Sequence, residues 1–132
     1  MSNIFVYGSL MFEPVWRSLL PGRYEKLPAI LMDYRRLKIK GADYPGLRHC
    51  TGDHVDGVLV LELCSRDISI LDRFEGHAYQ RRQVVVTTQH GQPYRCDVNV
   101  TRSGHQHRLS EWSWDADEFQ AYHLQRFLGR RT

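Results

Sequence analysis

Two runs of β-forming residues separated by a short turn constrain this chain more than any other feature. Val84 to Thr88 is strongly β-branched, and from Tyr94 to Thr101 apolar residues alternate strictly with polar ones. Branched side chains fit the pleated surface of a sheet, and strict alternation indicates a strand with one buried and one solvated face. The residues between the runs, His90-Gly91-Gln92-Pro93, favour a turn. The sequence therefore predicts an antiparallel hairpin.

Three further segments have the composition of strands. Ile4 to Tyr7 is a short run of β-formers that ends at Gly8, and Val58 to Leu63 is nearly continuously apolar, as in a buried central strand. From Leu27 to Lys40 an apolar run passes into alternation with basic residues, which indicates one long bent strand or two short ones. Asp43 to Gly46 is predicted to be a turn or loop.

Three short helices are predicted from their terminal residues. Pro14 occupies the first turn of one helix, where its missing N–H costs nothing. A second helix runs from about Arg66 to Glu75, with Ser65 as its N-cap and Gly76 just past its end. The third begins after Asp115, its predicted N-cap.

The residues around Asp115 carry further signals of a helix start. Glu118 lies three residues on, in the capping-box position, and Trp114 is placed to pack on Phe119 as a hydrophobic staple. Trp112 alternates with Trp114 as in a strand. Both tryptophans are predicted to pack against the barrel or the staple.

Length and element pattern set the fold class. A chain of 132 residues is long enough for one core, and neither a repeat nor a linker divides it. Strands combined with a few short helices predict an α+β fold, with a small mixed sheet that closes into a barrel-like domain. We therefore expect residues 1–132 to form a single domain.

Composition argues against several functional classes. No apolar run approaches the roughly 20 residues that a membrane helix requires, so no membrane partner is expected. We expect no secretion signal at the N-terminus. Cys50, Cys64 and Cys96 contain no C-x-x-C pair, which favours reduced thiols and a cytoplasmic location. The seven histidines match no zinc signature, so no metal site is predicted.

The net charge of +3 is spread along the chain rather than concentrated in one block. Nucleic-acid-binding domains usually concentrate basic residues on one face, so nucleic acid is not an expected partner. A weaker alternative is nucleic-acid binding through the C-terminal arginines Arg126, Arg130 and Arg131. The sequence does not indicate an oligomeric state.

Glu75 is the carboxylate with the most unusual position. Ile68, Leu71 and Glu75 are spaced i, i+3 and i+7, which places them on nearly one side of a helix. Burial on an apolar face raises the pKa of a carboxylate, and the negative end of the helix dipole acts in the same direction. A glutamate tuned in this way can both take and return a proton. The alternatives are an ordinary ion pair with a nearby arginine, such as Arg81 or Arg82, or a side chain that reaches solvent at a frayed helix end.

The loop after the first strand is a second candidate. Gly8 permits a sharp turn or a close backbone approach. The N–H groups from Ser9 to Phe12, just before a helix, could form a concave site for a carboxylate. The alternative is a plain strand-to-helix turn in which Ser9 acts as a local cap.

Two motifs in this order resemble the gamma-glutamylcyclotransferase-like family, which includes the plant avirulence-induced proteins and the gamma-glutamylamine cyclotransferases. The first motif is Val6-Tyr7-Gly8-Ser9-Leu10, and the second is Leu71-Asp72-Arg73-Phe74-Glu75-Gly76 followed by Tyr79-Gln80-Arg81. The continuation from Met11 to Trp16 looks especially like the plant branch. The resemblance covers most of the chain, from the first strand through the hairpin.

This resemblance implies a small barrel-like α+β fold and an enzyme that needs no cofactor. In the family, the α-amino group of a γ-glutamyl compound attacks its own γ-carbonyl, which gives 5-oxoproline and a free amine or amino acid. Glu75 is implied as the general acid/base. Tyr79 lines the pocket, hydrogen-bonds Glu75 or is an ordinary strand aromatic. The candidate substrate-binding residues of the loop are Tyr7, Gly8, Ser9, Leu10, Met11 and Phe12.

A module that binds an acidic small molecule on the same fold, without turnover, is the alternative function. Glu75 favours the enzyme, because a binding module has no chemical need for a carboxylate there. Residues 41–54 and 102–114 are expected to select the leaving group, but they carry no motif that identifies it. The segment Tyr44-Pro45-Gly46 borders the pocket or is a simple turn.

Overall fold

The structure is a computed structural model that describes the backbone of residues 1–131 and the side chains of residues 1–129. The side chains of Arg130 and Arg131, on which the nucleic-acid alternative partly depends, lie outside the described residues. Among residues 1–131, no helix combines the length and the apolar composition needed to cross a membrane.

Six strands and several short helices make up the described part of the chain, residues 1–131. The strands are β1 (Ser2–Val6), β2 (Lys26–Ile39), β3 (Pro45–Leu63), β4 (Tyr79–Thr88), β5 (Pro93–Thr101) and β6 (Leu109–Ser113). The helices are α1 (Glu13–Leu19), α2 (Ser65–Glu75), α3 (Ala116–Glu118) and α4 (Leu124–Arg131), with a π-helical turn over Phe119–His123 between the last two. Single 3₁₀ turns cover Ser9–Met11 and Ser103–Arg108.

The sheet closes into a five-stranded barrel with one added strand. The strands lie in the order β3-β1-β5-β4-β2, and β2 pairs in turn with β3, which closes the cylinder. β1 and β5 are parallel, with Ile4 opposite Asp97, whereas the other pairs are antiparallel. β6 extends the sheet by pairing with β2 at Leu37 and Ile39. The predicted α+β fold, a mixed sheet closed into a barrel with a few short helices, is confirmed.

From Ile4 to Val6, β1 is buried on both faces, which explains the uninterrupted apolar sequence there. Successive side chains of a strand point to opposite faces, so Phe5 and Tyr7 face the barrel interior, where they pack in one core cluster. Ile4 and Val6 belong to a second cluster, formed with residues of the helices. The loop that follows β1 therefore emerges between the barrel core and the helical layer.

Most predicted helix ends are confirmed. Gly76 ends α2 with a φ of +82°, a conformation that favours glycine. Asp115 caps the last helical segment, because its carboxylate accepts from the N–H groups of Asp117 and Glu118. The Trp114 and Phe119 rings lie 5.5 Å apart, as expected of the staple. The carboxylate of Glu118 itself accepts from Lys38 Nζ at 2.7 Å.

Two local predictions about side chains are wrong. Ser65 is the first residue of α2 rather than its N-cap; Cys64 occupies that position, with no side-chain capping bond. Trp112 does not pack, because 69% of its surface is exposed on β6, whereas Trp114 is buried. Residues two apart share a face of a regular strand, but β6 ends at Ser113, so Trp114 lies beyond the strand and alternation no longer sets the direction of its ring.

The largest difference from prediction concerns β3. The sequence predicts a strand over Val58 to Leu63, whereas β3 extends over Pro45–Leu63 and pairs with β2 along most of its length. The segment from Arg48 to Gly57 is polar, mostly exposed, and distorted where the pairing shifts between Met32 and Tyr34. Hydrophobic periodicity therefore did not indicate it as a strand.

Candidate active site

One cavity at an end of the barrel collects most of the predicted site residues. It is lined by Tyr7 to Leu10, here called the glycine loop, together with Glu75 and Tyr79. Its volume is about 30 Å³, which is enough for about one water molecule. A more open groove of about 320 Å³ shares Glu75 and Tyr79 with this cavity and extends to Arg81. Glu75 thus lies where an enclosed space meets an open one.

Helix α2 places Glu75 at this boundary. Ile68 and Leu71 are buried in the core, with 8% and 2% of their surface exposed, and Glu75 follows one turn later as the last helical residue. The residue keeps some solvent access, but protein atoms densely surround its carboxyl group. Burial, and to a smaller extent repulsion from Asp72, raises the pKa of Glu75 to about 7.

The alternative in which Glu75 pairs with Arg81 or Arg82 is wrong. The guanidinium of Arg81 forms its ion pair with Asp72, and Arg82 is exposed on β4. Among the described residues, no basic side chain forms an ion pair with Glu75. Because a nearby cation would lower the pKa of a carboxylate, its absence leaves the effect of burial uncompensated.

The glycine loop approaches β3 so closely that a side chain at Gly8 would collide with it. A Cβ atom at Gly8 would lie 2.9 Å from Cδ of Pro45 and 3.0 Å from its Cγ. Because the proline ring is rigid, it cannot turn aside. A side chain at position 8 would therefore fit only if the backbone of the glycine loop shifted. Of the two predicted reasons for a glycine here, the close backbone approach applies.

The 3₁₀ turn after Gly8 determines which N–H groups remain available. Met11 N donates to Gly8 O at 3.0 Å, and Phe12 N donates to Ser9 O at 3.1 Å. The first N–H groups of a helical turn have no acceptor within that turn, and here they belong to Ser9 and Leu10. The predicted anion site of four N–H groups is therefore reduced to these two.

Met11 and Phe12 lie outside the cavity, unlike the other residues predicted to bind substrate. Met11 lines a different groove, together with Arg36 and Trp114. Phe12 packs its ring against Phe119 at a centroid distance of 5.2 Å, within the helical core.

Tyr7 and Tyr79 direct their hydroxyl groups to the backbone. The Tyr7 hydroxyl donates to Asn99 O, and the Tyr79 hydroxyl donates to Pro45 O at 2.6 Å. A hydroxyl has one proton to donate, so Tyr79 lines the pocket without donating to Glu75. Burial first, and the nearby charge of Glu75 in addition, raises the pKa of each phenol. Both side chains are therefore neutral at physiological pH.

Besides Ile4, Phe5 and Val6 of β1, four residues of the cavity wall were not among the predicted site residues. Two of them are Tyr44, in the turn after β2, and Pro45, the first residue of β3. The sequence left their segment open as either a border of the pocket or a simple turn, and it borders the pocket. Leu71 and Asn99 also line the cavity. Asn99 occupies a polar position of an alternating strand, and nothing in that pattern distinguishes it from its polar neighbours.

Comparison with known proteins agrees with this fold. Residues 4–116 match the family model described as gamma-glutamyl cyclotransferase, AIG2-like. AIG2-like protein D of Arabidopsis thaliana is 32% identical over 130 residues, which cover 97% of this chain and 85% of that protein. The chain therefore belongs to the gamma-glutamyl cyclotransferase, AIG2-like family.

Solved structures share the fold. The solution structure of an Arabidopsis thaliana protein superposes with a TM-score of 0.76 at 26% identity, covering 98% of this chain and 79% of that one. A solved gamma-glutamyl cyclotransferase gives a TM-score of 0.67 at 21% identity, covering 76% of this chain and 66% of that one. The second comparison shows a common fold.

Proposed function

We propose that this protein is an enzyme that converts a small γ-glutamyl compound into 5-oxoproline and a free amine or amino acid. The observation that carries the proposal is Glu75, a carboxyl group without a cationic partner among the described residues and with a pKa raised to about 7. It shares one cavity with the glycine loop. A group that titrates near neutrality is suited both to remove and to return a proton.

In the proposed reaction, the carboxylate of Glu75 removes a proton from the substrate's α-ammonium group. The freed nitrogen lone pair attacks the γ-carbonyl carbon, forming the ring C–N bond. Protonated Glu75 then donates to the departing nitrogen, and the original amide C–N bond breaks with its electron pair on that nitrogen. The ring nitrogen loses a second proton, and the released amine gains one, so the reaction consumes no net proton.

The glycine loop supplies orientation in this proposal. The free N–H groups of Ser9 and Leu10 bind the substrate's α-carboxylate, which holds the α-nitrogen beside Glu75. Holding both reacting atoms of one molecule in a folded conformation removes much of the entropic cost of ring closure. No metal or nucleotide takes part, because the nucleophile and the electrophile both belong to the substrate.

In this proposal the two halves of the substrate occupy the two spaces of the site. The glutamyl half enters the cavity beside the glycine loop, and the leaving group lies in the open groove toward Arg81. A volume of about 30 Å³ does not admit a glutamyl group. Tyr44, with 42% of its surface exposed on the cavity wall, is the side chain we expect to move on binding.

The decisive experiment incubates the purified protein with γ-glutamyl amines and γ-glutamyl peptides and measures 5-oxoproline by mass spectrometry. We expect at least one substrate to be cyclised, with turnover reduced at least about 100-fold in Glu75→Gln. Glu25→Gln, at an exposed position outside the cavity, is the matched control and should behave as the native protein. Equal traces from the native protein and Glu75→Gln would show that Glu75 is not the general acid/base.

A native protein that forms no 5-oxoproline but binds it would instead be the non-catalytic binding module. We also propose a cytoplasmic location, which the free thiols of Cys50, Cys64 and Cys96 support.

A further inference from the structure

Arg36 of β2 links the end of β1 to the interior of β3 beside the glycine loop. Its Nη1 donates to Tyr7 O at 2.8 Å and to Asp56 O at 3.0 Å. Regular pairing between β1 and β3 ends with Val6 opposite Val58. The guanidinium therefore links strands β1 and β3 just beyond their last paired residues. Hydrogen bonds from a charged donor are shorter and stronger than those between neutral groups.

The bond to Tyr7 O sets the plane of the peptide between Tyr7 and Gly8. In a trans peptide the C=O and N–H groups point in opposite directions, and the chain contains no cis peptide bond in the described residues. A carbonyl held against Arg36 therefore directs the Gly8 N–H away from the guanidinium. Arg36 lines the groove outside the loop, whereas Gly8 lines the cavity.

Trp114 holds the guanidinium in place. The Cζ atom of Arg36 lies 5.1 Å from the centroid of the Trp114 ring, which is buried and donates through Nε1 to Asp43 O at 2.8 Å. Pro45, two residues after Asp43, is the residue whose ring contacts Gly8. The glycine loop is thus in contact with both Arg36 and Pro45, and Trp114 connects these two contacts by packing on Arg36 and bonding to Asp43.

Packing alone does not account for this arginine. Its Nε atom is buried and has no acceptor among the described residues. A buried polar atom without a hydrogen bond costs stability, and such an atom in a native structure requires an explanation. The carbonyl that Arg36 holds is the first carbonyl of the glycine loop. Holding that carbonyl is an explanation for an arginine at this position.

We infer that Arg36 is a positioning residue that fixes the Tyr7–Gly8 peptide and thereby aims the donors of the glycine loop into the cavity. Its kinetic consequence rests on the proposed function. The α-carboxylate that the loop holds keeps its charge throughout the proposed reaction, so a loop displaced by loss of Arg36 binds substrate and transition state more weakly by the same amount. Such uniform loss raises KM and leaves kcat nearly unchanged.

The test compares Arg36→Met with Arg35→Met and Arg36→Lys. Arg35 precedes Arg36 on the same strand, pairs with Asp53 at 3.7 Å and does not line the cavity, so its variant controls for loss of one arginine. For Arg36→Met we expect KM to rise at least about tenfold and kcat to change less than about threefold. Arg36→Lys keeps one charged donor and should recover part of the loss, whereas Arg35→Met should match the native protein.

Relaxation of ¹⁵N nuclei in the unliganded protein makes the test independent of turnover. We expect the amides of Gly8, Ser9 and Leu10 to be rigid in the native protein and in Arg35→Met, and mobile on the picosecond-to-nanosecond timescale in Arg36→Met. Unchanged order of these amides would overturn the inference even in an active enzyme. A native protein without activity would defeat the proposed function alone.

Two kinetic outcomes also overturn the inference. A fall in kcat with unchanged KM indicates a smaller fraction of folded enzyme rather than a displaced loop. If Arg36→Met does not fold, Arg36→Lys decides, and native KM together with native loop order in that variant would overturn the role for a fixed guanidinium.

Discussion

Two neighbouring carboxylates at the C-terminal end of α2 differ in character. Asp72 lines only the open groove and forms an ion pair with Arg81, whereas Glu75 also lines the cavity and has no cationic partner among the described residues. The two residues are only three positions apart on one helix. The pKa of Glu75 is raised to about 7, with burial as the main cause. Burial without a cationic partner is therefore what lets Glu75 exchange protons near neutrality.

The pH dependence of turnover is the strongest test of this difference between Glu75 and Asp72. If Glu75 acts as a base with a pKa of about 7, kcat/KM should fall roughly 100-fold between pH 8 and pH 5, because about 1% of the carboxylate stays ionised. A carboxylate with an ordinary pKa would lose less than about twofold over that range. The measurement is the initial rate of 5-oxoproline formation at limiting substrate.

Asp72→Asn serves as the control for this profile. The variant should keep a steep loss of activity toward acid pH, because burial is the main cause of the raised pKa of Glu75. A flat profile in the native protein would contradict the assignment of Glu75 as the base.

Stability should respond to pH in a direction that distinguishes the two carboxylates. The folded-state pKa of Glu75 lies above its unfolded value, so the neutral form favours folding below the unfolded pKa, and this contribution is lost as pH rises through about 7. In Glu75→Gln the side chain stays neutral at every pH, so the variant does not lose this contribution to stability. We expect the variant to exceed the native protein by about 1 to 3 kcal/mol in free energy of unfolding at pH 8.

Urea denaturation at pH 8 and pH 4 measures this difference. Near pH 4 the side chain at position 75 is neutral in both proteins, so the native protein and Glu75→Gln should have similar free energies of unfolding. Asp72→Asn should show no gain at pH 8, since it loses an ion pair with Arg81. A Glu75→Gln variant that is less stable than the native protein at pH 8 would mean that the ionised carboxylate has a stabilising partner.

The smallest expected effect is electrostatic: changes at Asp72 and Arg81 should shift the pKa of Glu75. Repulsion from Asp72 contributes to the raised pKa of Glu75, so Asp72→Asn should lower that pKa while burial keeps it above the ordinary range. Arg81→Gln should raise it, because the charge of Asp72 is then no longer compensated. Carbon-13 NMR titration of the Glu75 carboxyl group measures both shifts. Shifts in the same direction would contradict this account.

Local signals in the sequence predicted the parts of the fold that depend on neighbouring residues. The hairpin of β4 and β5 formed as predicted, because alternation and turn residues lie within one short segment. Asp115 and Gly76 end helices as predicted, because caps depend on adjacent backbone groups. The position of Glu75 on the apolar side of α2 also followed from helical spacing alone.

Features that depend on distant contacts were not predicted. The polar half of β3 is a strand only because β2 lies beside it, and β6 depends on pairing with the far end of β2. The N–H groups of Met11 and Phe12 are used within a 3₁₀ turn that the sequence did not distinguish from an open loop. Arg36 contacts Tyr7 across 29 positions of the chain, and no local pattern relates the two.

The pairing of β2 has a mechanical consequence for the mouth of the barrel. Since β3 occupies one edge of β2, the strands β4 and β6 share the other: β4 pairs at Ala29 and Ile30, and β6 at Leu37 and Ile39. The β2–β4 seam that helps close the barrel therefore consists of a short pairing, whereas β4 and β5 pair from Tyr79 to Thr87. We expect the short seam to open before the long ladder when the barrel opens locally.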